Sequence, residues 1–161
     1  MIKTITRIVR DADGVVTSGL QLTLFKHGDT SDGIAGIEDV NSLGKYTFTI
    51  PQTYLSKYYD IRITGGAYNP YEENIEVEWE WIVRDKDITT GSAFIHYDEL
   101  NDIDGTALPT LIPNAVIDIT AQSDRFVALM GTITEFLFTV TVSSAGADDI
   151  AKVTFIIKVG K

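Results

Sequence analysis

Two acidic turns are the first stretches of this sequence whose residue types and spacing could do chemistry. Asp11-Ala12-Asp13-Gly14 and Asp98-Glu99-Leu100-Asn101-Asp102-Ile103-Asp104-Gly105 both end on glycine. A calcium loop with glycine at its sixth place needs oxygen acceptors at the first, third and fifth, and a bidentate glutamate further on. Counted back from Gly105, Asp104 and Asp102 fall correctly, but Leu100 stands first. Counted back from Gly14, Val9 does. Neither turn has the spaced glutamate. Solvated turns are the expectation for both, with a weak extracellular-type calcium site at 98–105 as the alternative.

His27 and His96 are the only histidines. An imidazole against a carboxylate makes a general base or part of a metal site. Nothing in the spacing pairs these two with each other, so surface positions are expected. The sequence has no Gly-x-Ser-x-Gly, no His-Glu-x-x-His, no phosphate-cradling glycine loop and no dinucleotide fingerprint. It has no cysteine, which removes disulfides, thiolate zinc sites and a thiol nucleophile. Carboxylates are abundant enough to imitate a glycosidase pair, but Glu76, Glu78 and Glu80 read more simply as one solvent face of a strand. The expectation is no catalytic residue, no metal ligand and no cofactor. Aromatics are the remaining candidates. Tyr54, Tyr58, Tyr68 and Tyr71 fall in or near turns, where rings stack on sugars or anchor a protein interface. Trp79 and Trp81 share a strand face and are expected in the core.

The elements that would carry these residues are strands. In Gly44-Lys45-Tyr46-Thr47-Phe48-Thr49-Ile50, apolar and polar residues alternate, the period of a half-buried strand. Gly44 opens it and Pro51, with no N–H, closes it. Residues 2–10 form a first strand, Asp11–Gly14 turns it, and Leu20, Leu22 and Leu24 mark the next. Residues 26–43 read as a long surface loop with a short extended piece at Ile34–Ile37, and 53–57 as a helical turn or a loop. Tyr59, Ile61 and Ile63 alternate again. Ile75, Val77, Trp79, Trp81 and Val83 make the longest alternating run.

Gly14, Gly19-Leu20-Gln21-Leu22, Gly44-Lys45-Tyr46-Thr47-Phe48, Tyr59-Asp60-Ile61 and Gly66-Ala67-Tyr68 together resemble the transthyretin-like, or carboxypeptidase-regulatory-like, β-sandwich over residues 1–80. The resemblance implies a non-enzymatic appendage, with no catalytic residues to carry over.

Residues 84–115 break the rhythm. Arg84-Asp85-Lys86-Asp87 reads as a charged hinge, and Leu108-Pro109-Thr110-Leu111-Ile112-Pro113 as a strap that two prolines keep out of a sheet. Residues 116–161 give four more strands. Leu137 and Ile156 are apolar on faces that should be polar, so a second layer or a partner should cover them. The expected fold is all-β: an antiparallel, transthyretin-like β-sandwich over 1–84, then a second small β-sandwich or jelly-roll-like module over 85–161, with an extended strap at 85–115.

The chain has 161 residues and a formal charge of −10, and the halves 1–80 and 81–161 carry −5 each. An evenly acidic surface repels phosphate backbones and anionic lipid, which disfavours nucleic acid and membranes as partners. The N-terminus lacks a signal-like apolar run, and no stretch approaches a membrane span. The architecture is similar to bacteriophage fibre, collar and decoration proteins. That resemblance implies a structural protein of the virion, assembled in the host cytoplasm, with copies of itself and other virion proteins as partners. Leu108, Leu111, Ile112, Leu137 and Ile156 are its expected self-association surface. A bacterial module binding a glycan or cell surface through the tyrosines is the alternative.

Overall fold

The computed structural model describes residues 1–63, 72–121, 127–143 and 150–160. Among these the protein is all-β, with antiparallel sheets, no α-helix and one 3-10 turn at Tyr97–Glu99. No helix among the described residues is long and apolar enough to cross a membrane. The chain divides into two compact units, Met1–Val77 and Glu78–Lys161.

The first unit holds β1 (Ile2–Ile8), β2 (Leu22–Lys26), β3 (Ile34–Ala35), β4 (Ile37–Asp39), β5 (Ser42–Pro51), β6 (Tyr58–Ile63) and β7 (Glu72–Glu76). One sheet runs β1-β5-β4 and the other β3-β2-β6-β7, every pair antiparallel. Alternation sorts the side chains. Tyr46, Phe48 and Ile50 of β5 are buried, as are Ile5, Leu22, Leu24, Tyr59 and Ile61. Each such side chain contributes about 1.5–3 kcal/mol by leaving water. The residues 9–17 form a hairpin that returns over the start of β5. Gly44 must be glycine there: its φ is +78°, and a Cβ would lie 2.1 Å from Val16 Cγ1 and 3.0 Å from the Thr17 carbonyl oxygen.

The second unit holds β8 (Glu80–Thr89), β9 (Gly91–His96), β10 (Ala115–Ala121), β11 (Val127–Leu129), β12 (Leu137–Val142) and β13 (Ile150–Val159). Its sheets run β10-β13-β8 and β11-β12-β9, again antiparallel. Trp81, Val83, Phe155 and Ile157 from one sheet and Ile95, Phe138, Val140 and Val142 from the other are buried. Phe138 and Phe155 meet edge to face with centroids 5.1 Å apart, which ties the two sheets together.

The division at 77/78 falls earlier than the sequence-based boundary at 84/85. The long alternating run is two strands. The Val77 N–H donates to the Lys57 carbonyl, whereas the Trp79 carbonyl accepts from the Val159 N–H, so the run changes allegiance at Glu78. The expected hinge at 84–87 lies inside β8. Val83 faces Phe155 and Lys86 faces Val153, which leaves Arg84 and Asp85 opposite one residue of β13. That is a β-bulge, with Asp85 at φ +53°. The 85–115 segment is likewise no extended strap. It supplies the end of β8, all of β9, the 3-10 turn and a second hairpin before the irregular 109–114.

That second hairpin repeats the first. Around Asp11-Ala12-Asp13-Gly14, Asp11 N–H donates to Val15, Gly14 N–H to Asp11, and Thr17 N–H to Val9. Around Asp102-Ile103-Asp104-Gly105, Asp102 N–H donates to Thr106, Gly105 N–H to Asp102, and Leu108 N–H to Leu100. The sheets repeat too. β9-β12-β11 has the pairing of β1-β5-β4, and β10-β13-β8 has that of β2-β6-β7. One strand is permuted: the neighbour of β6 comes last in its unit, and the neighbour of β13 comes first.

Candidate functional site

The titratable residues that looked chemical are held by backbone amides. Asp11 Oδ1 accepts from the N–H groups of Asp13 and Val15, at 3.0 and 2.8 Å. Asp102 Oδ1 accepts from Ile103 and, across the unit, from Ile82 N–H at 2.8 Å. Asp104 Oδ1 accepts from Thr106 N–H at 2.8 Å, and that bond holds its carboxyl below the usual range. No group of three or more metal-ligating side chains occurs among the described residues. Through Asp102 the 98–105 loop closes the outer edge of β8 at the Ile82 N–H. Asp102→Ala should cost about 1 kcal/mol, the net worth of a hydrogen bond whose donor can turn to water. Thermal melts would register this loss, and adding calcium should leave the melting temperature of either protein unchanged.

His27 and His96 lie in different units. His27 has a partner the spacing did not reveal. Asp60 on β6 is the single buried charged residue among those described, 2% exposed. Its oxygens accept from Arg62 at 3.0 Å, Asn74 Nδ2 at 3.0 Å and Gly28 N–H at 3.3 Å, and Oδ1 lies 2.9 Å from His27 Nδ1. Burial alone would raise the Asp60 carboxyl. The bonds from His27, Gly28 and Asn74, with the charge of His27, outweigh it and hold the group below the ordinary value. Arg62 also donates to the Asp29 carbonyl at 2.9 Å. The network fastens the loop after β2 onto the outer face of its sheet. The mid-strand aspartate was the available signal, since strands disfavour Asp.

The tyrosines divide. Tyr54 is half-buried, its hydroxyl accepts from Lys26 N–H at 3.2 Å, and Lys26 Nζ lies 4.8 Å from its ring. Tyr58 is half-buried under Lys57, 5.6 Å away. Tyr68 and Tyr71 lie outside the described residues. Trp79 and Trp81 are both 1% exposed and stacked, so both belong to the core.

Of the expected self-association residues, Leu108 and Ile112 are buried and cannot serve a partner. Ile156 is half-buried, opposite Ile82 on a sheet face that also carries the ion pairs Lys158–Glu80 and Lys152–Asp87, each at 3.0 Å. Leu111 is exposed. Leu137 sits on a different kind of surface. The outward residues of β9-β12-β11 are Ser92, Phe94, His96, Leu137, Thr139 and Thr141, with Ala128 beside Thr141. None is acidic or basic apart from His96, and Phe94 is 70% exposed.

The equivalent sheet of the first unit has the same character. Ile2, Thr4, Thr6 and Ile8 of β1 face outward beside Pro51, Thr49, Thr47 and Lys45 of β5, and Ile37 of β4 stands opposite Thr47. Ile2, Ile8, Ile37 and Leu43 are all exposed. Lys45 is the one charge in those rows, and Asp39 at the rim pairs with it at 3.4 Å. Each unit thus presents one charged sheet face and one threonine-centred face without net charge, always on the corresponding sheet.

No known family, curated protein or solved structure matches this chain.

Proposed function

We propose that this chain is a non-catalytic structural component of a bacteriophage particle, acting in the virion as a fibre, collar, tail or capsid-decoration element. The observation that carries this reading is the recurrence of an uncharged, apolar-bearing outer face on the same sheet of both units, in a chain of net charge −10. Singly exposed apolar residues are ordinary, but their recurrence on uncharged rows of the same sheet in both units supports a contact role for those faces. The carboxylates point the same way, because the best placed of them hold backbone and loops. The transthyretin-like character belongs to this proposal. It is supported by the Asp-x-Asp-Gly hairpin followed by a sheet-changing strand, present in each unit.

The test is composition. Particles banded on a density gradient from the source culture should contain this chain at a fixed copy number by quantitative mass spectrometry. Its absence from particles and its recovery as free protein would overturn the reading. Selective binding on a glycan array, lost in Tyr54→Ala or Tyr58→Ala, would replace it with the cell-surface alternative.

A further inference from the structure

We infer that the Asp32–Gly33 bond is a site of spontaneous covalent modification, at which this protein converts aspartate to isoaspartate and so loosens the loop after β2. The inference is independent of the virion reading. Asp-Gly occurs three times in the chain, at 13–14, 32–33 and 104–105. The chemistry open to each is the same. The glycine nitrogen attacks the carboxyl carbon of the aspartate side chain, and a C–N bond forms. One water leaves, its oxygen from the carboxyl and one proton from the amide. The succinimide then takes up one water. Opening at the side-chain carbonyl restores aspartate, and opening at the main-chain carbonyl routes the chain through the side chain. No oxidant, reductant or second protein is needed.

The three sites differ in the state of the glycine amide. At the two hairpins it is engaged. Gly14 N–H donates to the Asp11 carbonyl at 3.0 Å, and Gly105 N–H to the Asp102 carbonyl at 2.8 Å. Asp104 is held as well, by the bond from Thr106 N–H. At 32–33 neither reacting group is held. Both residues are exposed, and among the described residues neither the Gly33 N–H nor the Asp32 carboxylate has a hydrogen-bond partner. The sheet register gives the reason. Gly36 N–H donates to the Leu22 carbonyl, and Leu24 pairs with Ile34. Bonded and unbonded pairs alternate along an antiparallel ladder, so Gly33 turns its N–H away from β2. β3 is the edge of its sheet, which leaves that amide in solvent.

Packing fixes the residue types at this turn. A Cβ at Gly33 would lie 2.3 Å from Thr23 Cγ2 and 2.6 Å from the Phe25 ring, so only glycine fits. Asp32 has φ +56°, a left-handed conformation that Asp tolerates better than most residues. The turn thus sets an unhindered nitrogen beside a short carboxyl, the pair that ring closure requires.

The place of the bond gives the lesion its effect. The loop is fastened at its start, where Gly28 N–H donates to Asp60 and Arg62 donates to the Asp29 carbonyl. It is fastened at its end where Gly33 lies against Thr23 and Phe25. Isomerisation adds one carbon to the main chain between these two fastenings. The two-residue β3 must then shift or let go of β2, which uncovers Phe25.

The experiment is prolonged warm storage of the full chain, in native buffer and in urea. Peptide mapping with electron-transfer fragmentation distinguishes the two linkages at each Asp-Gly. In native buffer, 32–33 should convert at least about fivefold faster than either hairpin, the factor set by one hydrogen bond that must open before attack. In urea the three rates should converge. Asp32→Glu should remove most of the isoaspartate formed by the folded chain, because the larger ring closes far more slowly. Asp32→Asn should raise it, since the same ring forms with loss of ammonia. Chains carrying the lesion should exchange amide hydrogens faster over 34–36, with β1 and β5 unchanged. Equal native rates at the three sites, conversion first at a hairpin, or conversion in urea alone would overturn the inference. So would the same preference for 32–33 in urea, an undiminished total in Asp32→Glu, or lesion-bearing chains that exchange like fresh ones.

Discussion

Asp60→Asn should destabilise the first unit by about 3 kcal/mol, the lower end of what breaking a buried ion pair costs. The lower end applies because Asp60 is buried while Arg62 and His27 are partly in water. The amide cannot accept from four donors at once, and its own N–H₂ would face some of them. The sign of the pH dependence follows from the depressed carboxyl. A group whose folded value lies below its unfolded one contributes stability above the unfolded value, near 3.9 for Asp, and loses it as pH falls through the folded value. Urea melts of wild type and Asp60→Asn should therefore differ fully at neutral pH. The gap should close progressively below pH of about 4. A gap of constant size down to strongly acid pH would show that the carboxylate charge is irrelevant. His27→Ala should cost far less, since that side chain is mostly in solvent.

The second large effect concerns where the chain can be cut. A fragment starting at Glu78 should fold. A fragment starting at Asp85 should not. The later start removes Trp79, Trp81 and Val83, all nearly fully buried, and takes from β13 its partners opposite Phe155, Ile156, Ile157 and Lys158. Losing one buried Trp side chain alone costs about 3–5 kcal/mol, comparable to the whole stability of a small domain. Dispersed amide resonances from the longer fragment and a collapsed spectrum from the shorter are the expected pair of results. Equal folding of both would mean that the first half of β8 is dispensable.

Strands were legible wherever one face met the core and the other met water. Tyr46, Phe48 and Ile50 alternate in the sequence and all three are buried. The same rule located β2, β6, β12 and β13. It failed where the physics is non-local. Alternation across 75–83 says "strand" but cannot say that Val77 bonds one unit and Trp79 the other, because register is written in the partners. Leu108 and Ile112 looked like a docking strap because prolines flank them, yet a non-sheet segment can still bury its apolar side chains inward. The Asp60 network joins residues 33 positions apart at its first bond, beyond the reach of any spacing rule. The repeat was within reach: Asp-x-Asp-Gly stands at 11–14 and again at 102–105. Read as two calcium candidates, the motifs concealed what they had in common.

The permuted strand sets an order of events during synthesis. The first unit has all its strands once β7 has left the ribosome. The second is asked to wait: β8 emerges first, and the strand it must zip to, β13, emerges last. For the seventy or so residues of translation between them, Trp79 and Trp81 have no sheet to enter, beside a freshly completed neighbour. Glu76, Glu78 and Glu80 alternate with those apolar residues, and charges so placed act as gatekeepers against premature strand pairing. Two of them are used again in the finished molecule, Glu76 pairing with Lys57 and Glu80 with Lys158, each at 3.0 Å.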